Sequence, residues 1–198
     1  MPSRLSLVSA AALSAMLSLG LAPALFAQDG DAPGDGDVTD VKPAGTMVWK
    51  LGDQVMSYIT TSSEVDTIRI GSVAVYPIEG EGGPAKMGLE IGGFESIEGG
   101  GSLFIYAEFD KDPAKDAVIT LAQYQADPGN PPIWTNDGTQ TDPVTVYFET
   151  WQFDGKTGKI AGRFVGDLCK AADWEAQPDP NDCVAIEGSF ESEIFSGL

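Results

Sequence analysis

The chain has 198 residues, with 30 acidic and 11 basic side chains, no histidine and a formal net charge of −19 at pH 7. Such an excess of acids argues against nucleic acids and anionic membrane surfaces as partners, because phosphate groups are bound by Lys and Arg. The absence of histidine excludes Ser-His-Asp and Cys-His catalysis and the usual zinc sites. The acids are spread through the chain, which favours a role in solubility over a dedicated cation site.

The first 27 residues have the pattern of a secretory signal peptide. Arg4 supplies a positive charge, an apolar run follows, and small residues provide a cleavage site after Ala24 or Ala27. The alternative is an uncleaved membrane anchor, which the serines of the run and Pro23 disfavour. Residues 28–45, rich in Gly, Asp and Pro, predict a disordered acidic leader. The mature protein is therefore expected to be exported, to the periplasm or the cell exterior, without a membrane span.

Residues 46–198 predict a single β-domain. Short β-rich runs alternate with Gly, Pro and Asp turns and indicate eight to ten strands; residues 67–76 are expected to form one strand with a bulge at Gly71. At most one short helical turn is expected, beginning at Asp112 and Pro113. The fold class is all-β, with an antiparallel β-sandwich as the first expectation and a calycin-like β-barrel as the alternative.

Two C-terminal segments read as paired strands. Residues 160–168 and 186–194 share the pattern Ile-x-Gly-x-Phe, and alternation places their Ile and Phe side chains on one face. The two cysteines of the chain, Cys169 and Cys183, flank the connecting loop. We predict a disulfide rather than free thiols, with Cα atoms roughly 4.4–6.8 Å apart. The sequence of residues 154–164 resembles a hairpin of many exported bacterial β-proteins, and we infer no function from it.

Two groups of acids are candidate calcium ligands, because calcium prefers carboxylate oxygens. One group lies in the leader: Asp29, Asp31, Asp35 and Asp37. The other lies between the cysteines: Asp173, Glu175, Asp179 and Asp182. Neither has EF-hand spacing, so the sequence predicts no cofactor and leaves calcium as the alternative.

Three acids within strand-like stretches are candidates for carboxylate catalysis: Glu108, Glu149 and Glu187. A glycoside hydrolase needs only two such groups at a suitable separation. In alternating strands, acids usually face solvent. We therefore expect a protein that is not an enzyme and keep a carboxylate-dependent hydrolase acting on glycans as an alternative.

The segment 144–153 carries apolar side chains on both of its predicted faces: Val144, Val146 and Phe148 on one, Tyr147, Trp151 and Phe153 on the other. A half-exposed strand would have one polar face, so either both faces are covered or one contacts a ligand or partner. Candidate binding residues are Tyr147, Trp151 and Trp134. The expected function is binding of a ligand or envelope protein; a structural role in a surface assembly is a further alternative.

Overall fold

The computed structural model describes residues 39–65, 68–78, 86–136 and 142–197, all of which belong to one compact unit. The predicted signal peptide and residues 28–38 of the predicted leader lie outside this part of the chain. The described residues form eleven strands and one short helix: β1 Thr39–Leu51, β2 Gln54–Val65, β3 Ile68–Gly71, β4 Val73–Ile78, β5 Lys86–Ser96, β6 Gly99–Phe109, α1 Pro113–Asp116, β7 Val118–Gln125, β8 Ile133–Asn136, β9 Thr145–Phe153, β10 Thr157–Ala171 and β11 Cys183–Ser196. The all-β prediction is confirmed. No helix in these ranges is long and apolar enough to cross a membrane.

The strands form one mixed sheet in the order β3-β2-β1-β11-β4-β5-β6-β7-β8-β10-β9. Additional pairings join β2 to β5 and β10 to β11. Neighbours are antiparallel except β4 and β11, which run parallel over a short overlap at Phe195 and Ser196. Because strands distant in this order also pair, the sheet folds over its own apolar face, consistent with a sandwich-like all-β fold.

The strand count exceeds the expected eight to ten because residues 67–76 do not form one strand. The chain changes partners at Ser72, whose hydroxyl donates to the Gly92 carbonyl at 2.8 Å and accepts the Thr61 N–H at 2.9 Å. Before this residue β3 pairs with β2, and after it β4 pairs with β5 and β11. A serine that satisfies backbone groups of two other strands thus replaces the predicted bulge.

The disorder prediction for residues 39–45 is wrong, because β1 begins at Thr39 and pairs with β2 along this segment. Gly45 shows why composition misleads here. A Cβ atom at this position would overlap the backbone of Glu191 and Ser192 on β11. Glycine is present because two strands approach closely, and residues 39–45 belong to the β-domain that was predicted to begin at Thr46.

The core lies between the layers of the folded sheet and is built from alternate residues of the long strands. The largest fully buried side chains of this core are Met47, Trp49, Leu89, Ile91, Leu103, Ile105, Ile160, Phe164, Leu168, Ile186 and Ile194. Each aliphatic or phenyl side chain of this kind stabilises the fold by ~1.5–3 kcal/mol relative to exposure. The predicted common face of the two C-terminal segments is therefore a core face.

Strands β10 and β11 form the longest pairing, running antiparallel from Thr157 opposite Phe195 to Cys169 opposite Cys183. The predicted disulfide joins these cysteines, but their Cα atoms are 3.9 Å apart, closer than the predicted range. Just beyond them, the Lys170 N–H donates to the Asp182 carbonyl at 2.9 Å. The cysteines therefore occupy a non-hydrogen-bonded position, where the Cα atoms of antiparallel strands come closest.

Strand β9 contains a bulge that explains its two-sided pattern. Phe148 and Thr150 pair with consecutive residues of β10, so the intervening Glu149 has no partner there. The extra residue reverses the alternation. As a result, four apolar side chains from both predicted faces pack against the core: Val146, Phe148, Trp151 and Phe153. Tyr147 is left on the outer face.

Candidate functional site

Exposed apolar side chains gather on the outer face formed by β2, β1, β11, β10 and β9. Val48, Val55, Tyr147 and Val165 are 47%, 63%, 45% and 45% exposed. They line a shallow, open depression of about 350 Å³. We call this depression the Tyr147 groove. An exposed cluster of this kind on a β-sheet face is typical of a contact surface.

Strand register arranges the groove as two parallel rows of side chains. The first row crosses four strands through Val48, Ser189, Arg163 and Tyr147. The second crosses the adjacent positions through Val55, Lys50, Glu187 and Val165. Lys50 and Glu187 are 137 residues apart in sequence, so local patterns could not reveal the groove. Of these eight residues, the sequence pattern predicted Tyr147 as a binding residue and Glu187 only as a catalytic acid; it did not indicate the other six.

The second row contains an ion pair between Lys50 Nζ and Glu187 Oε1, 2.8 Å apart. The hydrogen bond from Lys50 lowers the pKa of the Glu187 carboxyl below its ordinary value, and it raises the pKa of Lys50. Both side chains are exposed, so water screens their attraction and the pair can separate at small cost. The two charges can therefore reorganise around a partner.

The first row ends in a cation stacked on an aromatic ring. The guanidinium carbon of Arg163 lies 4.6 Å from the ring centroid of Tyr147. No carboxylate of the described residues forms an ion pair with Arg163, although acids outnumber bases 30 to 11 in the chain. The N–H groups of the guanidinium can therefore donate hydrogen bonds to a carboxylate of another molecule.

The other two predicted binding residues lie elsewhere. Trp151 packs edge-on against Phe109 and Phe148, with ring centroids 5.8 and 5.9 Å away. Trp134 is half-buried on β8, where it packs against the core and lies 6.0 Å from the Lys170 ammonium. Neither side chain lines the groove. The structure thus places Tyr147 alone of the three at this surface.

Two of the four candidate calcium ligands between the cysteines accept hydrogen bonds within local turns; the four are Asp173, Glu175, Asp179 and Asp182. The Asp173 carboxylate accepts backbone N–H groups two and three residues later, at 2.9 and 2.8 Å. The Asp179 carboxylate accepts the backbone and side-chain N–H groups of Asn181, at 2.9 and 3.1 Å. Asp182 lies 3.8 Å from the Lys170 ammonium. Within the described ranges, no three acids, cysteines or histidines are grouped to hold a metal ion. The leader acids lie outside those ranges, and calcium stays the alternative to the prediction of no cofactor.

The three candidate catalytic acids lie on three different strands, and register pairs none of them with another. Glu187 pairs with Lys50, and Glu108 accepts a hydrogen bond from Lys86 at 2.9 Å. Glu149 is the exposed bulge residue of β9. The acid with the most unusual surroundings is Glu90 on β5, which the sequence analysis missed. Burial raises its pKa from 4.5 to about 7.

Comparisons with known proteins give no significant match to a family model, a curated protein or a solved structure. The functional conclusion therefore depends on the chemistry of the chain itself. Two surfaces have distinctive chemistry: the Tyr147 groove, and the surroundings of Glu90 on the outer face of β5.

Proposed function

We propose that this protein is an exported binding protein without catalytic activity, and that the Tyr147 groove binds a segment of another envelope or extracellular protein. The supporting observation is the exposed Arg163, which stacks on Tyr147 beside three exposed valines and has no carboxylate partner among the described residues. The disulfide is compatible with export, because disulfides persist in oxidising compartments.

The shape of the groove favours a macromolecular partner over a small molecule. Small-molecule sites are concave pockets that bury most of their ligand, whereas this depression is shallow and open. Its composition also fits a protein partner, because Tyr and Arg are enriched among the residues that dominate binding energy at protein interfaces. Arg163 also covers one face of the Tyr147 ring, on which a sugar would otherwise stack.

The charges of the groove define the partner further. A carboxylate of the partner would complement Arg163, and apolar side chains next to that carboxylate would complement the valines. A strongly acidic partner would be repelled by a chain of net charge −19. We therefore expect an apolar segment that carries one or two acids.

Photo-cross-linking in the cells that export the protein tests this proposal. A photoreactive residue replaces Val165 in the groove or, as a control of equal exposure, Ile97 in the turn between β5 and β6; these side chains are 45% and 46% exposed. We expect a discrete protein adduct at position 165 that is absent at position 97 and is lost when Arg163→Glu is added. No adduct at position 165, or the same adduct at both positions, would contradict the proposal.

A further inference from the structure

A second surface, on the outer face of β4, β5 and β6, surrounds one glutamate with aromatic rings. Glu90 lies at the centre of β5, directly opposite Tyr106 of β6 and Ala74 of β4. Its neighbours on the same face of β5, two residues away on each side, are Gly88 and Gly92. We call Glu90 and the rings of Tyr76, Phe104 and Tyr106 the Glu90 patch.

The two glycines allow aromatic rings to lie across β5 on both sides of the carboxyl group. A Cβ atom at Gly92 would be 2.8 Å from the Phe104 ring, and one at Gly88 would overlap the Tyr76 ring. The rings of Phe104 and Tyr106 are stacked with centroids 6.1 Å apart. Three rings thus border Glu90, and they lie on a sheet face rather than within the core.

The Glu90 carboxyl group has neither a hydrogen bond nor an ion pair with any described residue. The charged and titratable groups that face it are Tyr76 of β4 and Tyr106 and Glu108 of β6. On β5 itself, Lys86 is engaged by Glu108 at 2.9 Å. A half-buried carboxylate without a counter-charge is unfavourable, which is why burial raises its pKa to about 7.

We propose that the Glu90 patch binds an organic cation of the alkylammonium class, with Glu90 as the counter-charge and the three rings as cation–π faces. Aromatic rings attract alkylammonium groups through their negative faces, and a desolvated carboxylate strengthens this attraction. A metal ion is disfavoured, because one carboxylate beside two neutral phenols and a phenyl ring does not supply the several oxygen ligands that calcium or magnesium needs. The ammonium group can belong to a free solute or to a lysine side chain, and the chemistry is the same for both.

Binding of such a cation requires the ionised carboxylate, so the affinity should depend on pH. With a pKa of about 7, Glu90 is mainly protonated at pH 6 and mainly ionised at pH 8. Apparent affinity scales with the binding-competent fraction. We therefore expect choline to bind about tenfold more weakly at pH 6 than at pH 8.

The test is a titration of the purified protein with choline and with its neutral isostere 3,3-dimethylbutan-1-ol, followed by NMR shifts of the β5 and β6 amides at both pH values. A parallel titration uses Nα-acetyl-lysine amide. We expect saturable binding of at least one of the two cations, with at least fivefold weaker binding of the isostere. Tighter binding of choline indicates a free solute, and tighter binding of the lysine derivative indicates a protein side chain.

Two variants separate the roles of charge and rings. Glu90→Gln should abolish the preference for the cation and its pH dependence, and Tyr106→Leu should weaken binding while the pH dependence persists. Binding of neither cation, equal binding of choline and its isostere, or unchanged cation binding by Glu90→Gln would overturn the proposal. Amide spectra of both variants serve as the control that the fold is retained. This test is independent of the Tyr147 groove, so either proposal can fail alone.

Discussion

At the residue scale, Glu90 is the position where burial and charge oppose each other most directly. Its pKa is about 7 in the folded protein and 4.5 as a free side chain. As pH rises through this window, the unfolded chain releases the proton before the folded protein does, so stability falls. The favourable contribution of Glu90 to the free energy of unfolding is therefore fully present below pH 4.5, and it is lost as the pH rises to 7.

We predict that Glu90→Gln changes the free energy of unfolding more favourably at pH 8 than at pH 4.5. The raised pKa corresponds to at most about 3 kcal/mol, and partial solvent contact reduces the expected difference to about 2 kcal/mol. Urea unfolding of wild type and variant at pH 4.5, 6 and 8 measures it. Glu191→Gln, which replaces an exposed glutamate of β11, is the control and should follow the wild type. A Glu90→Gln curve parallel to the wild type at all pH values would show that burial does not perturb this carboxyl.

Single residues also show what could be predicted without a structure. The Cys169–Cys183 bond could be predicted because the chain has two cysteines on segments of matching pattern. Glu90 could not, because its burial depends on rings from β4 and β6 that lie across it. The role of Arg163 could not be predicted either, since only the folded structure shows that no carboxylate of the described residues pairs with it.

At the element scale, the bulge in β9 determines which side chains reach the core. The sequence 144–153 predicted two apolar faces because strict alternation was assumed. Glu149 interrupts that alternation, and a single inserted residue moves every later side chain to the opposite face. The strand itself could be predicted from its β-branched and aromatic residues, but the bulge could not, because it is defined by register with β10.

We predict that deletion of Glu149 destabilises the protein by at least ~3 kcal/mol, because two apolar side chains on one side of the deletion must leave the core. Substitution Glu149→Thr keeps the bulge and should change stability by no more than ~0.5 kcal/mol. Equilibrium unfolding in urea compares the two variants. Equal stability of the deletion variant and wild type would mean that β9 does not use the bulge to reach the core.

The hairpin of β10 and β11 supports a second prediction at this scale. The disulfide closes a loop of sequence separation 14, so its reduction should cost ~3 kcal/mol or less. Hydrogen exchange of the reduced protein should accelerate first in residues 172–182. The amides of Phe164 and Phe190 should stay protected, because core packing holds both side chains. If the amides of Phe164 and Phe190 lost protection together with residues 172–182, the disulfide would be shown to support the whole hairpin.

At the scale of the whole molecule, composition was sufficient to predict the all-β class but not the path of the sheet. Alternating apolar residues and Gly-rich turns are local signals. The contact of β2 with β5 and the parallel contact of β4 with β11 join segments that no local signal connects. The Tyr147 groove likewise depends on the long-range pairing of β1 with β11, which is why Tyr147 was the one groove residue predicted as a binding residue.

The most direct measurement of the central claim is the affinity of the cross-linked partner for purified variants, determined by calorimetry. Arg163→Gln and Lys159→Gln each remove one positive charge from the outer face of β10, but only Arg163 lines the groove. We predict that Arg163→Gln weakens binding at least ~tenfold and that Lys159→Gln changes it less than ~twofold, as expected for a contact at the centre of an interface. Equal losses for the two variants, or no loss for Arg163→Gln, would contradict the assignment of the Tyr147 groove as the binding site.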